Sequence, residues 1–190
     1  LHKRLKMYKL RAPITIEDIS ETHSVYTLWD GEGEMGHTDP RLPALGQRVI
    51  TSETLESTGD YNAHRLSLGI PDSQWDFETQ TTFPSEANMD LINGVDFKKG
   101  CFVGQEVVSR MKRMTTVKKR FRGLVFETPP EAGTDIKTGE RVIGNVLSVQ
   151  ANIGQNALGM GLIRLDRLKA ATENPNVNGS PVQIMGGPDG

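Results

Sequence analysis

A single cysteine, Cys101, stands in a chain of 190 residues. That excludes an internal disulfide and a self-contained thiolate cage for zinc or an iron–sulfur cluster. Such sparing use of cysteine suits a reducing compartment. No run of about 18 apolar residues occurs, so no stretch reads as a membrane-spanning helix and no membrane partner is expected. The histidines, at positions 2, 23, 37 and 64, are scattered without metal-ligand spacing, and no metal is assigned. A glycine-rich phosphate loop of the Walker or dinucleotide type is missing as well. So is an excess of charge of either sign: the formal net charge is −2 and the pI about 6.1. DNA is therefore not expected as a partner, and any RNA binding has to come from a local basic patch.

What is present is enough apolar material, 36% of residues, for one large domain or two small ones with real cores. Leu1, Leu5 and Tyr8 recur at helical spacing among lysines and arginines, which reads as a helix entered midway that stops near Arg11 and Ala12, ahead of Pro13. Ile14 and Ile16 alternate with polar residues, and 25–29 is β-branched and aromatic, so both read as extended, with a turn over 30–33. An irregular connection over 37–46 leads to a short strand at 48–51. Asp60 is a candidate N-cap for a helix that leaves at Gly69 and Pro71. A second helix is expected over 84–92 and a third after Gly104, where Val107 or Val108, Met111 and Met114 sit three or four apart.

Beyond Thr115 the periodicity changes to short strands at 120–127, 141–149, 157–165 and 182–185. The expectation is an α+β domain over 1–115, an antiparallel sheet with helices, followed by a small C-terminal β-barrel over 116–190.

The most informative segment is Lys99, Gly100, Cys101, Phe102, Val103, Gly104, Gln105 and Glu106. A cysteine just before a helix start, with Lys98 and Lys99 beside it, has two influences that favour its thiolate: helix-end amide dipoles and nearby positive charge. Gly100 and Gly104 permit a sharp turn and close approach of the backbone to a bound molecule. The competing reading is that Cys101 is simply a small buried apolar side chain. Spacing alone leaves these two open.

This octet resembles the Lys-Gly-Cys-aromatic-x-Gly-Gln-Glu signature of the YgfZ family, a branch of the glycine-cleavage T-protein superfamily. Other segments agree with it in order. Residues 1–12 resemble that family's Arg-Leu-x-x-Tyr-x-Leu-Arg-Ala segment, 39–46 its Asp-Pro-Arg-x-x-x-Leu-Gly stretch and 65–71 its Arg-x-x-x-Gly-Ile-Pro. Pro84, Glu86 and Asp90 fall where the family has Pro-x-Glu-x-x-x-Asp. The resemblance covers most of residues 1–123, and it implies that the N-terminal part of the family fold is not included in this chain.

By that resemblance the cofactor is tetrahydrofolate or a derivative, held in a central cavity. Cys101 is a reactive thiol, and the implied binding residues are Glu86, Lys99, Gly100, Gly104, Gln105, Glu106 and Arg110. Glu86 would pair with the pterin and Arg110 would meet the anionic tail. The implied role is a folate-binding accessory protein for assembly or repair of iron–sulfur enzymes, with assembly or client proteins as partners. The expected location is the cytoplasm for a bacterial member, or the mitochondrial matrix for a eukaryotic one; of the two, the cytoplasm is the expectation taken. Two other readings stay open: a folate-dependent aminomethyl- or methyltransferase, and an RNA-binding module on the basic stretch from Arg110 to Arg122.

Overall fold

Among the described residues, no element before the barrel is longer than ten residues. The computed structural model describes residues 1–31, 35–101, 104–114 and 117–188. Gly33 of the expected turn, Phe102 and Val103 of the octet, the Met114 side chain and the boundary at Thr115 lie outside the described residues. Helix α1 (His2–Tyr8) ends earlier than Pro13 requires, and Leu10 already has a φ of +48°. Ile14 and Ile16 form no strand. Strands β1 (Ser24–Leu28), β2 (His37–Thr38) and β3 (Gln47–Thr51) make an antiparallel sheet in the order β1-β3-β2, so the connection expected over 37–46 contributes a short edge strand. Helix α2 (Tyr61–Ser67) is capped as its sequence foretells: the Asp60 carboxylate accepts from the Asn62 and Ala63 amides.

No regular helix forms over 84–92; the segment is a succession of turns. Buried Asn88 has a φ of +58°, outside the helical region. The gain lies elsewhere. The Asn88 amide donates to the Phe121 carbonyl (2.9 Å), and the Phe121 amide donates to the Glu86 carbonyl (2.9 Å). These bonds cover an edge of the barrel that would otherwise be left unpaired. Helix α3 (Gln105–Met114) then leads to that barrel.

Strands β4 (Lys119–Phe126), β5 (Asp135–Thr138), β6 (Arg141–Ile153) and β7 (Asn156–Arg164) are joined, after helix α4 (Leu165–Lys169), by β8 (Asn176–Val177) and β9 (Ser180–Ile184). They close in the order β4-β7-β6-β5-β8-β9, antiparallel throughout. The β8 to β9 turn is Asn178-Gly179 with φ of +51° and +83°, the hairpin turn that needs two left-handed residues. Leu124, Phe126, Ile136, Ile143, Val146 and Ile163 fill the interior. β7 is buried on both faces. Its outward Leu158 and Met160 meet Leu66 of α2 together with Ala87 and Phe121. Gly69 and Gly123 let the chain leaving α2 lie against β4: a Cβ on Gly123 would come 3.1 Å from the Gly69 Cα and 2.5 Å from the Met185 sulfur.

Charged side chains fix this packing. Arg65 is fully buried in α2. Its guanidinium donates to both Asp76 carboxylate oxygens, the Ile70 carbonyl and the Asn62 side chain, and it lies 5.0 Å from the Trp75 ring centroid. Asp76 also accepts from Ser148 on β6 (2.5 Å) and from the Asp72 amide (2.8 Å), so helix, loop and barrel meet at one carboxylate. A second buried carboxylate, Asp39, accepts from Arg41 and Arg48, both of which also donate to the Tyr61 hydroxyl. The third pair is bidentate: Arg120 donates to both oxygens of Asp90 at 2.8 Å.

Burial alone would raise the pKa of Asp39 and of Asp90. The arginine hydrogen bonds outweigh it and hold both carboxyls below the ordinary carboxylate range. A carboxyl depressed in the folded state contributes stability above its unfolded pKa of about 4, and that contribution is lost as pH falls through the folded value. Stability measured by urea unfolding should therefore decline as the pH drops below about 4, and less steeply in an Asp39→Asn, Asp90→Asn double variant. An unchanged slope would contradict this origin. Asp76→Ala leaves Arg65 buried and unpaired, so it should cost about 3–5 kcal/mol in the same assay; a loss below about 1 kcal/mol, the size of an exposed pair, would show that the cluster does not hold the fold.

Candidate functional site

The octet is positioned by the start of α3. Gly104 has a φ of +89°, the left-handed geometry that turns the chain into the helix at Gln105. Cys101 is a free, exposed thiol, so the buried-cysteine alternative does not hold. Lys99, Gly100, Gly104 and Glu106 are exposed and Gln105 is half-buried. A Cβ added at Gly100 would meet nothing within 4 Å, so this glycine is not required by crowding within the chain. Arg110 is exposed one and a half turns along α3. Glu86 belongs to another segment, the turns that pair with β4; its carboxylate accepts from the Phe83 amide (3.3 Å), and its neighbour Ser85 reaches the Met111 sulfur of α3 (3.6 Å).

Two clefts are relevant. The larger, about 780 Å³, is bounded by β1, β3 and residues 56–61, with Tyr26, Trp29, Arg48 and Tyr61 on its walls and Glu56 among its lining groups. Trp29 is held rigid. It stacks on His64 at 4.5 Å between ring centroids and 8° between planes, and a Cβ on Gly59 would fall 2.6 Å from the indole. Arg48 is oriented by Asp39 and Tyr61. Rigid aromatic walls with an oriented guanidinium suit a flat ring bearing an anionic group. The smaller cleft, about 180 Å³, lies against α3. Among the described residues, neither cleft is lined by Cys101, Glu86, Arg110 or the other octet residues.

The octet and Arg110 thus share one segment, and Glu86 belongs to another, the turns of residues 84–92, which touch α3 through Ser85 and Met111. Sequence reading passed over the walls of the larger cleft, because Tyr26 and Trp29 look like ordinary strand residues and Arg48 and Tyr61 are distant in the chain. Among the described residues, no group of three His, Cys, Asp or Glu side chains could hold a metal ion, and no helix is long and apolar enough to cross a membrane.

Residues 112–185 match the family described as the CAF17 C-terminal β-barrel domain. Over longer spans the chain is similar to mitochondrial iron–sulfur cluster assembly factors named IBA57 or IBA57 homologs. It is 32% identical to that of Neurospora crassa over 75% of this chain and 40% of the relative. For Mycosarcoma maydis the identity is 36%, over 67% and 37% respectively, and for Mus musculus 28%, over 89% and 54%. The chain spans about half the length of these relatives or less. All three are mitochondrial by name, which lends no support to the expected cytoplasmic location. The barrel, the ordered segments around Cys101 and these relatives agree: the chain belongs to the YgfZ-type branch of the glycine-cleavage T-protein superfamily.

Proposed function

We propose that this chain is the folate-binding and barrel part of an accessory protein for iron–sulfur cluster assembly, and that Cys101 is its point of contact with a cluster intermediate or a redox partner. One observation carries the reading. The segments around Asp39, Arg65 and Asp90 that mark the family are occupied in buried ion pairs, whereas no described side chain of the octet is buried. Cys101, an exposed thiol within that segment, is available for chemistry. One thiolate cannot complete a cluster's ligand set, so the remaining ligands come from an assembly or client protein. The relatives' names support a mitochondrial matrix location, and 1–115 and 116–190 are taken as the two units.

For tetrahydrofolate the larger cleft is the better host. Its size falls within the roughly 300–1,000 Å³ usual for small-molecule sites, and Trp29, Tyr26 and Tyr61 offer faces for a pterin while Glu56 offers a carboxylate for its donor edge. Glu86, Lys99, Gly100, Gly104, Gln105, Glu106 and Arg110 constitute the other placement, the one implied by the octet.

Calorimetric titration of the full-length protein with tetrahydrofolate separates the two. Trp29→Ala should weaken binding at least tenfold and Glu86→Gln less than twofold; the reverse pattern would move the folate to the octet side. For the cluster role, Cys101→Ser introduced in cells lacking the wild-type protein should leave its abundance unchanged. Cluster-dependent enzyme activities should fall to the level of the deletion. Wild-type activities in that strain would contradict a chemical role for the thiol.

A further inference from the structure

The smaller cleft is formed between the turns of residues 84–97, helix α3 and the start of β4. Val95, Phe97, Val108, Met111 and Val117 line it. Its polar groups are engaged with one another: Arg120 is paired with Asp90 and donates to the Ser85 carbonyl (2.7 Å), and the Ser85 hydroxyl donates to the Met111 sulfur (3.6 Å). Apart from the Lys112 ammonium, which sits over the Phe97 ring, a group entering this cleft meets carbon, sulfur and engaged polar atoms, which favours an apolar visitor. Its volume of about 180 Å³ is close to that of a cavity, about 150 Å³, that takes one benzene ring. It lies well below the roughly 300–1,000 Å³ of ordinary ligand sites. The cleft fits one large side chain rather than a cofactor. Phe97, on its wall, is 42% exposed.

In the stretch of chain that carries most of this cleft, exposed positive charge outweighs negative. Between residues 96 and 119 the exposed charged side chains are Lys98, Lys99, Arg110, Lys112, Arg113, Lys118 and Lys119, against Asp96 and Glu106. The chain as a whole carries −2, so the remainder is distinctly acidic and this face is its cationic pole. Lys112 lines the cleft itself, and others neighbour lining residues in the chain: Lys98 follows Phe97, Arg113 follows Lys112 and Lys118 follows Val117. An apolar notch with Lys112 on its wall and further lysines next to its lining residues in the chain complements an acidic segment carrying one apolar anchor. A nucleobase fits less well. Phe97 is the one aromatic ring among the described lining residues, the Lys112 ammonium sits 4.8 Å from its centroid, and Ser85 and Asp90 are already engaged where a base edge would need partners.

We propose that the cleft between residues 84–97 and α3 is a docking site for an acidic peptide segment of a partner protein, which inserts one large apolar side chain between Val108, Met111 and Phe97. This goes beyond the cluster reading and does not require the Cys101 thiol.

The test uses the full-length protein and fluorescein-labelled twelve-residue peptides rich in Glu and Asp, with Trp, Leu or Ala at the centre, followed by fluorescence anisotropy. The Trp or Leu peptide should bind at least tenfold more tightly than the Ala peptide, weaken with added salt, and shift the Met111 methyl resonance. Lys112→Glu with Lys118→Glu, both on the surface, should lower affinity at least tenfold with an unchanged circular dichroism spectrum. Val108→Asp should remove the preference for Trp or Leu over Ala. Cys101→Ser should bind the peptide like wild type, which keeps this test separate from that of the cluster reading. Equal binding of the three peptides, or affinity untouched by the lysine substitutions, would overturn the proposal. So would an oligouridine RNA that binds in preference to the peptides and loses affinity in the same variants.

Discussion

The buried ion pair between Arg65 and Asp76 is the constraint to which the arrangement of this molecule returns. One guanidinium, enclosed in a short helix, satisfies a carboxylate, a carbonyl at the helix exit and a side-chain amide; the carboxylate in turn takes the Ser148 hydroxyl of a barrel strand. Such a pair adds little net stability over an apolar equivalent, because desolvating both charges offsets their attraction. Its effect is on uniqueness: only one seating of α2 against β6 and β7 leaves no buried charge unpaired. The two other carboxylate–arginine pairs act alike. Asp39 ties the connection before β3 to Tyr61 of α2, and Asp90 ties the turns of residues 84–92 to the barrel through Arg120.

This division of labour explains how family-defining segments differ in purpose. The Asp-Pro-Arg stretch at Asp39 and the Arg-x-x-x-Gly-Ile-Pro stretch at Arg65 carry the clamps, and Gly69 permits the close approach of the chain to Gly123. None of the octet's described side chains is buried, and its thiol is exposed. The clamp around Tyr61 also serves the larger cleft, since the hydrogen bonds that hold Arg41 and Arg48 to Asp39 fix one wall of a space large enough for a folate ring system.

Much of the barrel was legible from alternating apolar residues, because a strand with one face in a core imposes that period directly. β5 and β8 escaped because they are four and two residues long, too short for a period to register, although Asn178-Gly179 is a strong hairpin signal. The helix expected over 84–92 failed for a different reason: the stretch of β4 around Phe121, which β9 does not reach, offered the backbone of Glu86 and the side chain of Asn88 better partners than a helix would. The clamps were invisible for want of range. Arg120 and Asp90 are 30 positions apart and Ser148 and Asp76 are 72 apart, and nothing in a charged residue's own neighbourhood names so distant a partner. The cleft walls at Tyr26, Trp29, Arg48 and Tyr61 went unread on the same account, whereas the octet, being contiguous, stood out at once.

The separation between segments that hold the fold and the segment kept free for chemistry is open to a direct thermodynamic measurement. The free energy of urea unfolding of the full-length protein is compared with that of a variant in which Lys99, Cys101 and Glu106 are replaced together by Ala, Ser and Ala. Exposed side chains change stability by about 0.5 kcal/mol or less each, so the variant with three replacements should unfold within about 1.5 kcal/mol of the wild type. A loss of about 3 kcal/mol or more, the range expected for breaking a buried network, would mean that the octet is part of the scaffold and would contradict this account.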